Sequence, residues 1–344
     1  MDYEVTIGIP VFNVEKYIRQ TLDSVLAQTF QSIEFLVLDD CGTDASLDIV
    51  REYQQTHSRG KYIRVVRQPH NMGVGAARNR IIDEAQGRFL YFLDSDDLIE
   101  PFAISLLMEN QKRIDADIVF GSYDKIETYN QNNVVESFLY PRIDFVKDDE
   151  LAFFAYQKYG AIQASACNYI VKCNLLREKG INFINSRFWE DMAFTSDLVT
   201  YCRRAVLLPD ITYHYMCRYN SLSNYQSRDS ISKAEVLANI ATVDYMKRCC
   251  KKTLGKSYQP LRTLNVMTTA FYVVCHILKN KDVISPAFTS YEIHNVIRSP
   301  WTFQEMWKMK GWRLKNFILY MLGEIPPHFS VALITLIGKY KKLI

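Results

Sequence analysis

The chain has 344 residues, 48% hydrophobic and 23% charged, which describes a globular protein with a substantial core and excludes a disordered one. A net charge of +3 is too small to argue for nucleic acid as a partner, and no basic run with interleaved aromatics occurs in the first 240 residues. Eight cysteines without repeated CxxC spacing argue against a zinc site, and with no secretory signal after Met1 and no run of 18 apolar residues they point to a cytoplasmic protein.

Val5 to Phe12 is a β-rich run, with Pro10 near its end where a missing N–H is tolerated. Asn13 is placed to cap a helix whose apolar positions, from Val14 through Ile18 and Leu22 to Leu26, follow a helical period. Ile33–Leu38 is a second strand ending in Asp39 and Asp40. A helix over about 45–56, a strand over 62–67 and a helix over 76–85 follow. Gly73 and Gly75 sit in the intervening loop without the third glycine of a dinucleotide fingerprint. They suit a tight turn onto the helix that carries Arg78.

Phe89–Leu93 is short, apolar and aromatic, as a strand buried on both faces should be. It runs directly into Asp94, Ser95, Asp96 and Asp97. Buried carboxylates are costly, so the strand must end there, where they meet water or a cation. Two readings stay open at this point: a hard-cation site for Mg²⁺ or Mn²⁺, or a solvated turn with Asp97 capping a helix. Strands alternating with helices give βαβ units and a mainly parallel sheet. Pro10 and Phe12, Asp39 and Asp40, and Asp94 and Asp96 would then meet at one sheet edge, where open α/β sheets bind ligands.

Beyond Pro101 the pattern predicts a helix to 115, a strand over 117–121, a loop or hairpin within 123–150 and a helix over 149–159. A strand over 167–171 and a short helix closed by Gly180 come next. Trp189 precedes Glu190 and Asp191, which open another helix; acids there suit the macrodipole as well as catalysis. A β-like segment over 206–215 leads to Arg218 and Ser221. From Ile231 onward the periodicity is helical. Residues 301–344 hold seven Lys or Arg against two Glu, a balance of +5, with aromatics and an apolar run over 329–337. Such a tail fits either an anionic membrane surface or packing as a helical subdomain or against another subunit.

Pro10-Val-Phe-Asn13, Asp39-Asp40-Cys-Gly-Thr-Asp44, Asn71-x-Gly73 with Ala77-Arg-Asn79, Asp94-Ser-Asp-Asp97, Trp189-Glu-Asp191 and Arg218-Tyr-Asn-Ser221 occur together, in this order. On these pieces the sequence resembles the bacterial family 2 glycosyltransferases, inverting enzymes of the GT-A fold. The resemblance covers about residues 3–225. It implies a catalytic domain over 1–225, with a nucleotide-binding half to about 97 and an acceptor half over 98–225, followed by a mainly helical region over 226–344. The fold implied is a mixed, mainly parallel sheet flanked by helices.

The resemblance further implies that Pro10, Phe12, Asp39, Asp40, Arg78, Asp94 and Ser95 bind the nucleotide sugar, with Asp40 on the base. Asp96, with Asp94 near it, would meet Mn²⁺ or Mg²⁺ on the diphosphate. Asp191 would be the general base with Glu190 beside it, and Trp189, Arg218 and Ser221 would face acceptor or diphosphate. Cys41-Gly42-Thr43 departs from the commoner Gly-Ser-Thr but preserves the turn. The implied donor is a UDP-sugar. The implied acceptor is a cell-surface glycan or lipid-linked saccharide, placing the enzyme in the cytoplasm or on the cytoplasmic face of the membrane, with oligomeric state open. The competing readings are a sugar nucleotidyltransferase, which normally carries a Gly- and Lys-rich loop after its first strand, and a non-catalytic nucleotide-sugar-binding scaffold.

Overall fold

A computed structural model describes residues 3–127, 133–160, 162–186, 188–217, 230–309 and 313–344. In chain order the elements begin β1 (Val5–Val11), α1 (Ile18–Leu26), β2 (Ile33–Asp39), α2 (Ser46–Thr56), β3 (Ile63–Arg67), α3 (Val74–Glu84), β4 (Phe89–Phe92) and β5 (Leu98–Ile99). They continue with α4 (Ala103–Ile114), β6 (Ile118–Glu127), β7 (Val134–Phe138), β8 (Ile143–Phe145), α5 (Glu150–Lys158), β9 (Tyr169–Lys172), α6 (Cys173–Lys179), α7 (Glu190–Leu198) and β10 (Ala205–Cys217). The remainder is β11 (Ile231–Ser232), α8 (Lys233–Lys251), α9 (Gln259–Lys279), β12 (Ile284–Ser285), α10 (Ser290–Ile297), α11 (Phe303–Lys308), α12 (Arg313–Glu324) and α13 (Pro327–Tyr340).

These elements form two compact units, residues 1–151 with 165–185 and 200–221, and residues 152–164 with 186–199 and 222–344. The boundary expected near 225 follows the chain, whereas the units interleave. The segment 186–199, with Trp189, Glu190 and Asp191, groups with the C-terminal helices.

The first unit is built on a sheet of order β3-β2-β1-β4-β9-β6-β10-β5, with β7 on β6 and β8 on β10. The β3-β2-β1-β4 part is wholly parallel, as βαβ connections require. Beyond β4, strand β9 runs antiparallel to both β4 and β6. Every residue of β1, β2 and β4 is buried, which explains why each is mostly apolar without alternation; the buried Thr6 and Glu34 pair with each other at 2.6 Å. Helix α3 lies so close to β1 that a Cβ on Gly8 would come 2.4 Å from Cγ2 of Ile81.

Two local expectations change. Asn13 does not cap α1, which starts at Ile18; it takes a left-handed φ of 52°, and its Oδ1 accepts the Thr43 N–H at 2.7 Å. Strand β6 runs six residues past the expected Gly121 end, to Glu127, and forms an antiparallel pair with β7.

In the second unit α9 packs against α8, α10, α12 and α13. Its core joins Val236 and Val243 of α8, Met267, Ala270 and Val274 of α9, and Ile334 of α13. Among the described residues α9 is the one helix long and apolar enough to cross a membrane by length and composition. However, 61% of that span is buried inside the protein, as in the core helix of a globular domain.

Candidate active site

Three neighbouring parallel strands leave the first unit's sheet at one edge. Val11 of β1 lies opposite Asp39 of β2, and on the other side Leu93 donates its N–H to the Gly8 carbonyl. This register gathers Pro10, Phe12, Asp39, Asp40 and Asp94, as their positions at strand ends predict. Pro10 is buried, past the last residue that β1 pairs with β4, so its missing N–H breaks no ladder on that side. Phe12 is 43% exposed. Asn13 and Cys41 both hold left-handed backbone in the adjoining turns, the kind of strain that folds store at ligand sites.

Asp39 and Asp40 are both buried and held by the chain itself. The Cys41 N–H donates to Asp39 Oδ1 at 2.9 Å, and Arg67 pairs with its Oδ2 at 3.1 Å. Asp40 accepts the N–H of Met72 at 2.8 Å on one oxygen and of Gly73 at 2.9 Å on the other. Gly73 has a φ of 86°, which a side chain tolerates poorly, and this explains the glycine better than crowding would: nothing lies within 4 Å of its missing Cβ. Asp40 therefore fixes the loop that launches α3. An ionised carboxylate offers about four acceptor positions, so both acids retain capacity for a ligand.

Helix α3 carries Arg78 to the end of β4, where its Nη2 donates to Asp94 Oδ1 at 2.8 Å. Arg78 is buried, and its guanidinium lies 5.4 Å from the ring centroid of Phe183. Asn79 grips the Phe183 backbone with two hydrogen bonds, 2.9 Å to its carbonyl and 2.7 Å from its N–H. Phe183 meets Phe92 of β4 edge to face at 5.6 Å. Arg78, expected near phosphate, thus lies against Asp94. Ser95 is buried, while Asp94 and Asp96 are half-buried.

Asp97 is not a helix cap. It is 1% exposed and precedes strand β5, and its N–H donates to the Asp94 carbonyl. Its two carboxylate oxygens take the Tyr213 hydroxyl and, at 2.8 Å, the Met216 N–H, both from β10. Thr21 donates to its carbonyl at 3.0 Å. Burial, and secondarily the nearby Asp94 charge, push the Asp97 carboxyl up to about 8. Sequence reading missed both Asp97 as a buried lock and Tyr213 as its partner. A third acid directly after Asp-x-Asp was the available signal, but nothing in the sequence names a partner 116 residues away.

In the second unit, Glu190 and Asp191 open α7. Trp189 before them holds a left-handed φ of 62°, unusual for a large side chain, and its ring packs against the helical core. Glu190 is buried, and Asp191 is half-buried, with Oδ1 accepting the Met192 N–H at 2.7 Å. Arg218 and Ser221 lie outside the described residues.

Among the described residues no group of three or more His, Cys, Asp or Glu is arranged to hold a metal ion. A magnesium-like cation shared with a diphosphate does not need one, because one or two carboxylates plus phosphate oxygens complete its shell. Asp96 and Asp94, hard oxygen donors half-exposed at a strand end, fit that role; buried and locked Asp97 does not.

Residues 6–176 match the family model described as glycosyl transferase family 2. The glycosyltransferase GlyA of Streptococcus pneumoniae is 29% identical over 227 residues, 65% of this chain and 32% of that protein. A poly(ribitol-phosphate) beta-glucosyltransferase of Bacillus spizizenii is 29% identical over 62% of this chain and 32% of its own length. The chain thus spans about a third of these two relatives. The solved structure of S. aureus TarS 1–349 in complex with UDP-GlcNAc superposes with a TM-score of 0.58 at 18% identity, covering 93% of this chain and 90% of that one. That likeness shows a shared GT-A fold, mixed α/β with helices flanking a central sheet. With the matched family model and these glycosyltransferase relatives, the chain belongs to glycosyl transferase family 2.

Proposed function

We propose that the protein transfers a sugar, with inversion, from a nucleoside diphosphate sugar to a hydroxyl of a cell-envelope glycan or lipid-linked saccharide. The observation that carries this reading is the meeting of Phe12, Asp39, Asp40 and Asp94 at the ends of three adjacent parallel strands. The UDP-GlcNAc complex of TarS supports a uridine donor, and the glucosyltransferase relative supports a wall-polymer acceptor.

Pro10 and Phe12 would shape the base pocket, with Asp40 accepting from the base and Asp39 close by. Arg78, which donates to Asp94, would hold that acid beside the diphosphate, next to Ser95. Asp96, with Asp94, would hold Mn²⁺ or Mg²⁺. When bound, that cation supplies charge neutralisation to the departing diphosphate. Asp191 would accept the acceptor hydroxyl's proton as the new bond forms, with Glu190 beside it. An attack opposite the leaving group is a single displacement, hence inversion. Trp189, Arg218 and Ser221 are assigned to acceptor or diphosphate contacts. The nucleotidyltransferase alternative is disfavoured because the turn after β1 is Phe12-Asn13-Val14, without the glycines or lysine of a triphosphate loop.

A thermal-shift panel of nucleotide sugars, with and without Mn²⁺, tests the donor. The correct one at a hundredfold excess over Kd should add about 2.7 kcal/mol of stability. Asp96→Ala should remove the Mn²⁺ dependence of that shift, and an unchanged Mn²⁺ titration would take the metal away from Asp96. Asp191→Asn should keep donor binding while turnover falls by roughly 10² or more. Release of diphosphate from a sugar phosphate and a nucleoside triphosphate would favour the nucleotidyltransferase. Donor binding without any transfer or hydrolysis would favour a scaffold.

A further inference from the structure

Helix α13 is apolar on two opposite faces. Ser330, Ile334 and Gly338, one turn apart, are buried, and Ile334 belongs to the helical core. Ser330 also donates its hydroxyl to the Leu322 carbonyl at 2.6 Å, tying the start of α13 to α12. This inward face accounts for the fold. The opposite face consists of Phe329, Leu333, Leu336 and Tyr340 at helical spacing, with Phe329 70% and Tyr340 88% exposed. Nothing in the folding of the second unit requires large apolar side chains there, and no Asp, Glu, Lys or Arg interrupts 327–338.

The exposed apolar surface recurs on the neighbouring helices. Leu314 and Ile318, one turn apart, point outward from α12, which touches both α11 and α13. On α11, Trp307 is exposed and stacks on Phe303, with centroids 5.8 Å apart. Exposed Lys339, Lys341 and Lys342 cluster at the end of α13.

We infer that the outer face of α12 and α13 docks on an anionic lipid surface, with the apolar stripe of α13 in the headgroup layer and its terminal lysines on lipid phosphates. Charge selects this occupant. Among the described residues of α12, α13 and the chain end, Lys315, Lys339, Lys341 and Lys342 are exposed against Glu324, so a second copy meeting this face would set like charge against like. A leaflet of anionic lipid complements it, and exposed Trp and Tyr suit the water–lipid boundary. The α9 helix needs no part in this, because most of its span is already buried in the helical core.

The test is sedimentation of the full chain with vesicles of phosphatidylcholine alone or with a third phosphatidylglycerol. Binding should require the anionic lipid and fall with salt. The Phe329→Glu/Leu336→Glu double variant should reduce the bound fraction at least about tenfold, as should Lys339→Ser/Lys341→Ser/Lys342→Ser. Both sets are at exposed positions, and unchanged thermal unfolding confirms that the fold persists. If the acidic variant does not fold, the lysine variant alone decides. Equal binding to both vesicle types, or undiminished binding by folded variants, overturns the proposal. So does a lipid-free dimer that the acidic variant splits, because the occupant would then be a second copy. Donor binding is unaffected by either result, so this test stands apart from that of the proposed activity.

Discussion

Asp197→Ala is expected to remove about 3–5 kcal/mol of stability, the cost of leaving a buried charge without its partner. Asp197 is on α7 and Arg262 on α9, and the guanidinium Nη2 donates to Asp197 Oδ1 at 2.5 Å with both side chains nearly inaccessible to water. One residue earlier, the Tyr156 hydroxyl donates to the Ser196 carbonyl at 2.6 Å, and the Tyr156 ring lies 5.9 Å from the Arg262 guanidinium. The pair therefore fastens to α9 the helix that presents Glu190 and Asp191 at its start. Removing the acid leaves the cation in a low dielectric with no escape to solvent. Replacing both residues by apolar ones of similar size, Asp197→Leu with Arg262→Met, should recover most of the loss. Urea unfolding of the three proteins is the measurement. A loss below about 1 kcal/mol for Asp197→Ala would show that the pair behaves as an exposed one.

Much of the first unit is legible because its strands announce themselves. A strand buried on both faces is mostly apolar, and β1, β2 and β4 read that way although Thr6 and Glu34 are buried among them; β2 and β4 lead into the acids Asp39–Asp40 and Asp94. Their shared direction then follows from the helices between them. Helices α8 and α9 are legible from long periodic faces. Strand β7 is legible only as one arm of a loop or hairpin within 123–150, because nearly all of it is exposed and it carries no apolar alternation to fix its bounds. Asn13 misleads because an Asn before an apolar-periodic run suits a cap, whereas its side chain is used by a turn 30 residues on. The acids of the candidate site are legible as residues and not as contacts. That Asp40 holds the Met72–Gly73 backbone, or that Arg78 lies on Asp94, depends on which loops the sheet brings side by side.

Asp97 carries the remaining large expectation. Its carboxyl, with an ordinary value of 3.8, is pushed up to about 8 by burial first and by Asp94 second, while the Tyr213 hydroxyl and Met216 N–H pull the other way. Between those two values the folded chain keeps a proton on Asp97 that the unfolded chain releases. The folded state thus binds more protons, and stability from this group is fully present below pH 3.8 and is lost as pH rises toward 8. The slope is about 1.4 kcal/mol per pH unit, so roughly 2.7 kcal/mol separates pH 5 from pH 7. Asp97→Asn keeps an acceptor for Met216 and a donor toward Tyr213 but cannot ionise. It should match the parent near pH 5 and lose less stability than the parent on the way to pH 8. Asp97→Ala strands the Tyr213 hydroxyl and the Met216 N–H in a buried site, at about 1–3 kcal/mol each, and should be the least stable of the three at pH 5. Urea midpoints taken at half-unit steps between pH 5 and 8 separate these outcomes. Parallel profiles for the parent and the Asn variant would mean that Asp97 is ionised in the fold, with the two β10 donors sufficient to stabilise its charge.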